Sequence, residues 1–87
     1  LLYLIYFHMS IEAIKKAIGY KAAEFVQDGM LVGLGTGSTT FFFIEKLIQR
    51  FKEGLKIRVA ASSNASYEQA IKGNLPLIDL EQVTSLD

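Results

Sequence analysis

The stretch VGLGTGSTT, residues 32–40, sets three glycines and four hydroxyl side chains in nine positions. It follows a short apolar run and precedes a helical pattern. Gly33, Gly35 and Gly37 let the backbone bend sharply and approach a ligand closely. Unpaired NH groups at the start of the following helix, together with its dipole, favour an anion there. Thr36, Ser38, Thr39 and Thr40 add hydroxyl donors. In an open parallel sheet, ligands bind beyond the carboxyl ends of the strands, and the first strand-to-helix turn is a favoured place. A phosphate is the natural guest; the plain alternative is a tight turn with polar caps and no ligand.

Two common phosphate cradles do not fit. The dinucleotide fingerprint GxGxxG fails because Ser38 stands three positions after Gly35, and RVAASSN (58–64) supplies serines where an acidic residue would grip a ribose. The nucleotide loop GxxxxGK[ST] fails on glycine spacing and on its missing lysine. What remains is a small phosphorylated metabolite held by backbone amides and hydroxyls.

The elements that must position this loop alternate between helix and strand. Ile11, Ile14, Ile18, Ala22 and Phe25 form one stripe at helical period, with Ala17 and Val26 beside it, predicting a helix from an N-cap at Ser10 to Gln27. Asp28-Gly29 closes it, the glycine suiting a left-handed C-cap. Met30–Leu34 reads as a buried strand. Thr39–Phe51 returns to helical period through Ile44, Leu47, Ile48 and Phe51. LKIRVAA (55–61) alternates as a strand with Leu55, Ile57 and Val59 on one side. A shorter helix is predicted over Ala65–Lys72 with Tyr67, Ala70 and Ile71 inward, then a third strand over Pro76–Leu80, proline being tolerated at its first position. The order α-β-α-β-α-β implies parallel pairing with right-handed crossovers. The expected fold is α/β, a Rossmann-like parallel three-layer fold that is incomplete, since three strands with an unpaired edge make a thin sheet.

Bulk properties narrow the function further. The 87 residues allow at most one small domain, and 51% apolar with 21% charged residues describe a globular chain. Zero net charge leaves no electrostatic footprint for nucleic acid or an acidic membrane. No cysteine is present, one histidine cannot make a zinc site alone, and no carboxylates have calcium-loop spacing. No metal is expected. The opening LLYLIYFH has seven consecutive apolar residues, far short of the roughly 20 that cross a bilayer, and lacks the basic start and cleavage site of a secretory signal. Residues 1–8 read as a non-native or gene-model extension before a natural start at Met9, the alternative being an edge strand that covers exposed apolar surface. His8 falls in it and is assigned no role.

DGMLVGLGTGSTTFFFIEKL resembles the opening of ribose-5-phosphate isomerase type A, in which a strand runs into GxGTGST and a helix. The resemblance continues upstream in IKKAIGYKAAEFVQDGM and downstream through VAASSNASYEQAIKGNLPLIDLEQVTSLD. It implies an enzyme of the pentose phosphate pathway that interconverts ribose 5-phosphate and ribulose 5-phosphate through an enediolate, without metal or cofactor. A cytoplasmic location and, for the complete enzyme, a homo-oligomer are also implied, with neither nucleic acid nor membrane as partner.

Carried over position by position, Thr36, Gly37, Ser38 and Thr39 coincide with the family's TGST substrate-binding segment. Lys15 lies where the family places a lysine in its first helix, either facing the phosphate or solvated on the helix surface. Ser62 and Ser63 either border the pocket or cap the next helix, the second being the preferred reading. Phe41, Phe42 and Phe43 point about 100° apart and read as core plus partner surface rather than as a ligand platform. The family's DGADE segment, KGGG loop and later glutamate base have no counterpart, so no catalytic residue is assigned. Residues 9–87 thus read as the amino-terminal part of the isomerase domain, truncated before the catalytic motifs and inactive alone. The alternative is a non-catalytic sugar-phosphate binding or regulatory module built on the same loop.

Overall fold

The computed structural model describes residues 10–79, so the reading of residues 1–8 and the end of the third strand lie outside the described residues. Among the described residues three helices alternate with two strands: α1 (Ile11–Glu24), β1 (Leu31–Leu34), α2 (Ser38–Lys52), β2 (Arg58–Ala61) and α3 (Asn64–Lys72). This is the α/β order read from the sequence. β1 and β2 pair in parallel, Leu31 opposite Arg58 and Leu34 opposite Ala61. The third expected strand is reduced to one parallel bridge, Val59 to Leu77, in which the Val59 amide donates to Pro76 O (2.8 Å) and Ile78 donates back to Val59 O (2.9 Å). β2 therefore lies between β1 and the 76–78 segment.

The core gathers Leu34, Ile44, Leu47 and Val59, all fully buried, with Val32, Leu55, Ile57, Ala70 and Leu75 around them. Alternation was a sound guide to burial around the second strand but not to its extent: Leu55, Ile57 and Val59 are buried while Lys56 and Arg58 are exposed, yet β2 begins only at Arg58. In α3 only Ala70 of the expected inward set is buried, and Tyr67 and Ile71 stay about half exposed.

The first helix departs most from its sequence pattern. Ile11, Ile18 and Phe25 are 71%, 53% and 70% exposed, and the buried positions are Gly19, Ala23 and Val26 instead. The physical reason is distance. α1 approaches α2 so closely at Gly19 that no Cβ would fit there, and Ile11, Ile18 and Phe25 of the apolar stripe are turned outward while Ile14 stays half-buried. The helix also ends at Glu24 with Phe25 as its cap, while Gly29 takes its left-handed conformation later, in the turn before β1.

Side chains fix α1 and α2 in register. Tyr20 donates its phenol to the Glu45 carboxylate, which holds the Tyr20 pKa above its ordinary value. The Lys16 and Lys46 ammonium groups lie 5.3 and 5.6 Å from the same ring's centre. Arg50 donates to Ala23 O (2.7 Å) in the last turn of α1 and to Val26 O (2.6 Å) just beyond it, placing a cation at the carboxyl end of that helix. Residues 20 to 26, from α1 into the turn after it, thus meet residues 45 to 50 of α2 in the same order, so the two helices run parallel. Arg50→Met keeps the aliphatic bulk and removes both hydrogen bonds; it is expected to lower stability by about 2 kcal/mol, read as a shift of the urea midpoint. An unchanged midpoint would deny Arg50 this role.

Candidate functional site

The loop after β1 opens onto a cavity of about 330 Å³. Gly35, Thr36, Gly37 and Thr40 line one side, and Phe41 supplies an apolar wall. Ser63, Ser66, Glu68, Gln69 and Lys72 face them from α3 and the turn before it. The cavity therefore sits at the carboxyl ends of β1 and β2, where an open parallel sheet receives its ligands.

The loop's shape comes from one residue. Gly37 is the N-cap of α2 with φ 99° and ψ 169°, a region essentially restricted to glycine. Of the three glycines in the motif it alone has positive φ; Gly33 lies within β1 and Gly35 in open backbone. With no side chain, Gly37 cannot accept from the first-turn amides as a serine cap would. Helix geometry leaves the NH groups of Ser38, Thr39 and Thr40 without intrahelical acceptors, and the first turn carries no acidic residue to answer the dipole. The other two helices are closed: Ser10 accepts from Ala13 N (3.1 Å) and Ser63 from Ser66 N (3.2 Å). Among the described helices, α2 alone has no side-chain hydrogen bond at its N-cap.

Neighbouring contacts hold the loop. The Thr40 hydroxyl donates to Thr36 O at 2.9 Å. Leu34 O accepts from both the amide (3.0 Å) and the hydroxyl (2.7 Å) of Ser62, tying the end of β1 to the end of β2. Gln69 Nε2 reaches Phe41 O at 2.8 Å and joins α3 to α2.

The sequence-derived site residues divide into three groups. Thr36 and Gly37 line the cavity. Ser38, exposed, and Thr39, half-buried, begin α2 beside it without lining it. Lys15 is half-buried on α1 and is not part of the cavity wall. Its position is informative all the same. It lies four residues, about 6 Å along the axis, before Gly19, which abuts Thr39 and Phe43. Because α1 and α2 run parallel, position 15 is level with the start of α2 and on the same face of α1 as Gly19.

Two serine readings prove compatible: Ser63 caps α3 and also lines the cavity, whereas Ser62 braces β1. The aromatic run divides as expected between core and surface, Phe43 packing on the core and Phe41 exposed; Phe41 also forms part of the wall, and its ring meets Phe42 edge-on at 5.5 Å. Glu68, Gln69 and Lys72 were missed. Their signal was the polar face of α3 directly after the serine turn, hidden because Tyr67 and Ile71 drew the inward assignment. A second cavity of about 310 Å³, lined by Gly29, Met30, Phe51, Lys56, Ile57 and Arg58, lies at the opposite ends of the strands.

Comparison with known proteins points one way. No family model matches the chain. Ribose-5-phosphate isomerase A of Streptococcus pneumoniae is 49% identical over 78 residues, which are 88% of this chain and 34% of that protein. A D-ribose-5-phosphate isomerase solved in complex with phospho-erythronic acid superposes with a TM-score of 0.85 and 37% identity, over 91% of this chain and 35% of that one. Ribose 5-phosphate isomerase A from Neisseria gonorrhoeae gives a TM-score of 0.79 and 36% identity, over 88% and 34%. The chain spans about a third of the length of these relatives.

Gly37→Ala tests the loop geometry. A Cβ there meets nothing within 4 Å, so any cost is backbone strain alone. The substitution is expected to destabilise the chain by about 1–3 kcal/mol, measured by thermal unfolding; a neutral result would mean that the positive φ is not required. In sequence and in fold, this chain is a relative of ribose-5-phosphate isomerase A over the third of that protein that it spans.

Proposed function

We propose that this chain forms the phosphate-binding wall of an aldose–ketose isomerase that interconverts D-ribose 5-phosphate and D-ribulose 5-phosphate. The observation that carries this reading is the uncovered first turn of α2 at the mouth of a cavity, held open by Gly37. Its support is the relationship to ribose-5-phosphate isomerase A, one member of which was solved with phospho-erythronic acid, a phosphorylated sugar acid.

In this reading the substrate's phosphate accepts hydrogen bonds from the first-turn amides of Ser38 and Thr39 and from the hydroxyls of the same two residues. Charge-assisted bonds of this kind are short and about twice as strong as neutral ones. Lys15 approaches the same anion from α1, level with the start of α2. Lys16 is occupied differently, with its ammonium against the Tyr20 ring. The sugar extends over the cavity between Phe41 and α3.

Proton transfer between C1 and C2 of the opened sugar, through an enediolate, needs a general base and groups that stabilise the oxyanion. Glu45 is committed to Tyr20 and is not that base. We assign this chain the binding of the substrate, and assign the proton transfer to elements of the enzyme that this chain does not match. No cofactor takes part in the proposed reaction.

Ser38→Ala is expected to weaken binding of ribose 5-phosphate by about 1–3 kcal/mol, measured by isothermal titration. An affinity equal to that of the unsubstituted chain would remove Ser38 from the phosphate site.

A further inference from the structure

We propose that Gly19 is a positioning residue for the phosphate loop, its missing side chain allowing α1 to set the height of α2's first turn. The inference rests on the phosphate reading above and asks what holds those amides in place.

A Cβ built at position 19 would stand 2.7 Å from Thr39 O, 2.8 Å from Phe43 N and 2.9 Å from Phe42 Cβ. None of these atoms lies at the end of a flexible side chain. They belong to the backbone of α2 or are bonded directly to it, so no change of rotamer relieves the clash. The helices must separate at this point or tilt. At the other end of the pair, Arg50 holds α2 to Ala23 O in the last turn of α1 and to Val26 O just beyond it. A methyl group at position 19 therefore levers the free end of α2 away from α1.

That free end is Ser38 to Phe43, the two turns that begin at the loop. Hydrogen bonds from Ser38 and Thr39 to a bound phosphate tolerate only a few tenths of an ångström in length. Displacing their helix spoils several of them together. Helix propensity argues in the same direction. Glycine is a poor residue for a helix interior, and alanine would serve α1 better there. The glycine is explained by what it touches: the contact is the first turn of the helix that carries the donors.

The test uses the ¹⁵N-labelled chain titrated with inorganic phosphate, reading the amide signals of Gly37, Ser38 and Thr39. Gly19→Ala is expected to raise the half-saturating phosphate concentration at least tenfold. Arg50→Met, which loosens the same helix pair at its far end, is expected to stay within twofold of the unsubstituted chain. Equal half-saturation in a folded Gly19→Ala chain overturns the positioning role and leaves the phosphate loop standing. An equal loss in Arg50→Met also overturns it, by reducing the effect to general loosening. No response to phosphate in the unsubstituted chain strikes the loop reading itself and this inference with it. If Gly19→Ala does not fold, the unsubstituted chain still decides. The Gly19 amide must then shift along the same saturation curve as Ser38, and a Gly19 signal that stays still while Ser38 saturates rejects the coupling.

Discussion

A helix begins with backbone NH groups that its own geometry cannot satisfy, and this chain deals with them in two ways. α1 and α3 close theirs with the hydroxyls of Ser10 and Ser63. α2 begins at Gly37, which has no side chain to offer, in a conformation that other residues rarely adopt. Its uncovered donors set the requirement that the neighbouring structure meets. They stand at the carboxyl ends of two parallel strands, over a cavity, with no carboxylate in their own turn. Such an arrangement favours an anion supplied from outside.

The scaffold around the loop fixes where those donors point. Ser62 ties the end of β1 to β2 through a doubly accepting Leu34 carbonyl. Thr40 closes back on Thr36. α1 lies along α2 in parallel register, joined at Tyr20–Glu45 and at Arg50. The close approach at Gly19 links that packing to the first turn. Few of these contacts are individually strong, yet all constrain the placement of one helix end, and hydrogen bonds to a phosphate depend on that placement.

The loop was legible in the sequence because its chemistry is local. Glycines and hydroxyls between an apolar run and a helical pattern describe their own backbone needs. The alternating burial of Leu55, Ile57 and Val59 was legible for the same reason, although only Val59 lies within β2. α1 was not. Its bulky stripe through Ile11, Ile18 and Phe25 has the period of a core face, but the contact with α2 selected Gly19, Ala23 and Val26. Periodicity identifies an apolar face; it does not say how near a neighbour will come. The α3 wall failed similarly, since Gln69 and Lys72 face the cavity only because the chain turns at Ser63. Phe41 was read as core and surface for want of any local sign that a cavity would form beside it. The third strand contributes one bridge at Leu77, a feature of pairing rather than of propensity.

The central claim is that the first turn of α2 holds a phosphate, and a crystal soaked with ribose 5-phosphate tests it most directly. The account predicts phosphate oxygens about 3 Å from the amide nitrogens of Ser38 and Thr39, with the sugar lying over Phe41. A sugar phosphate seated instead in the cavity beside Lys56 and Arg58, with the turn at Gly37 empty, would contradict it.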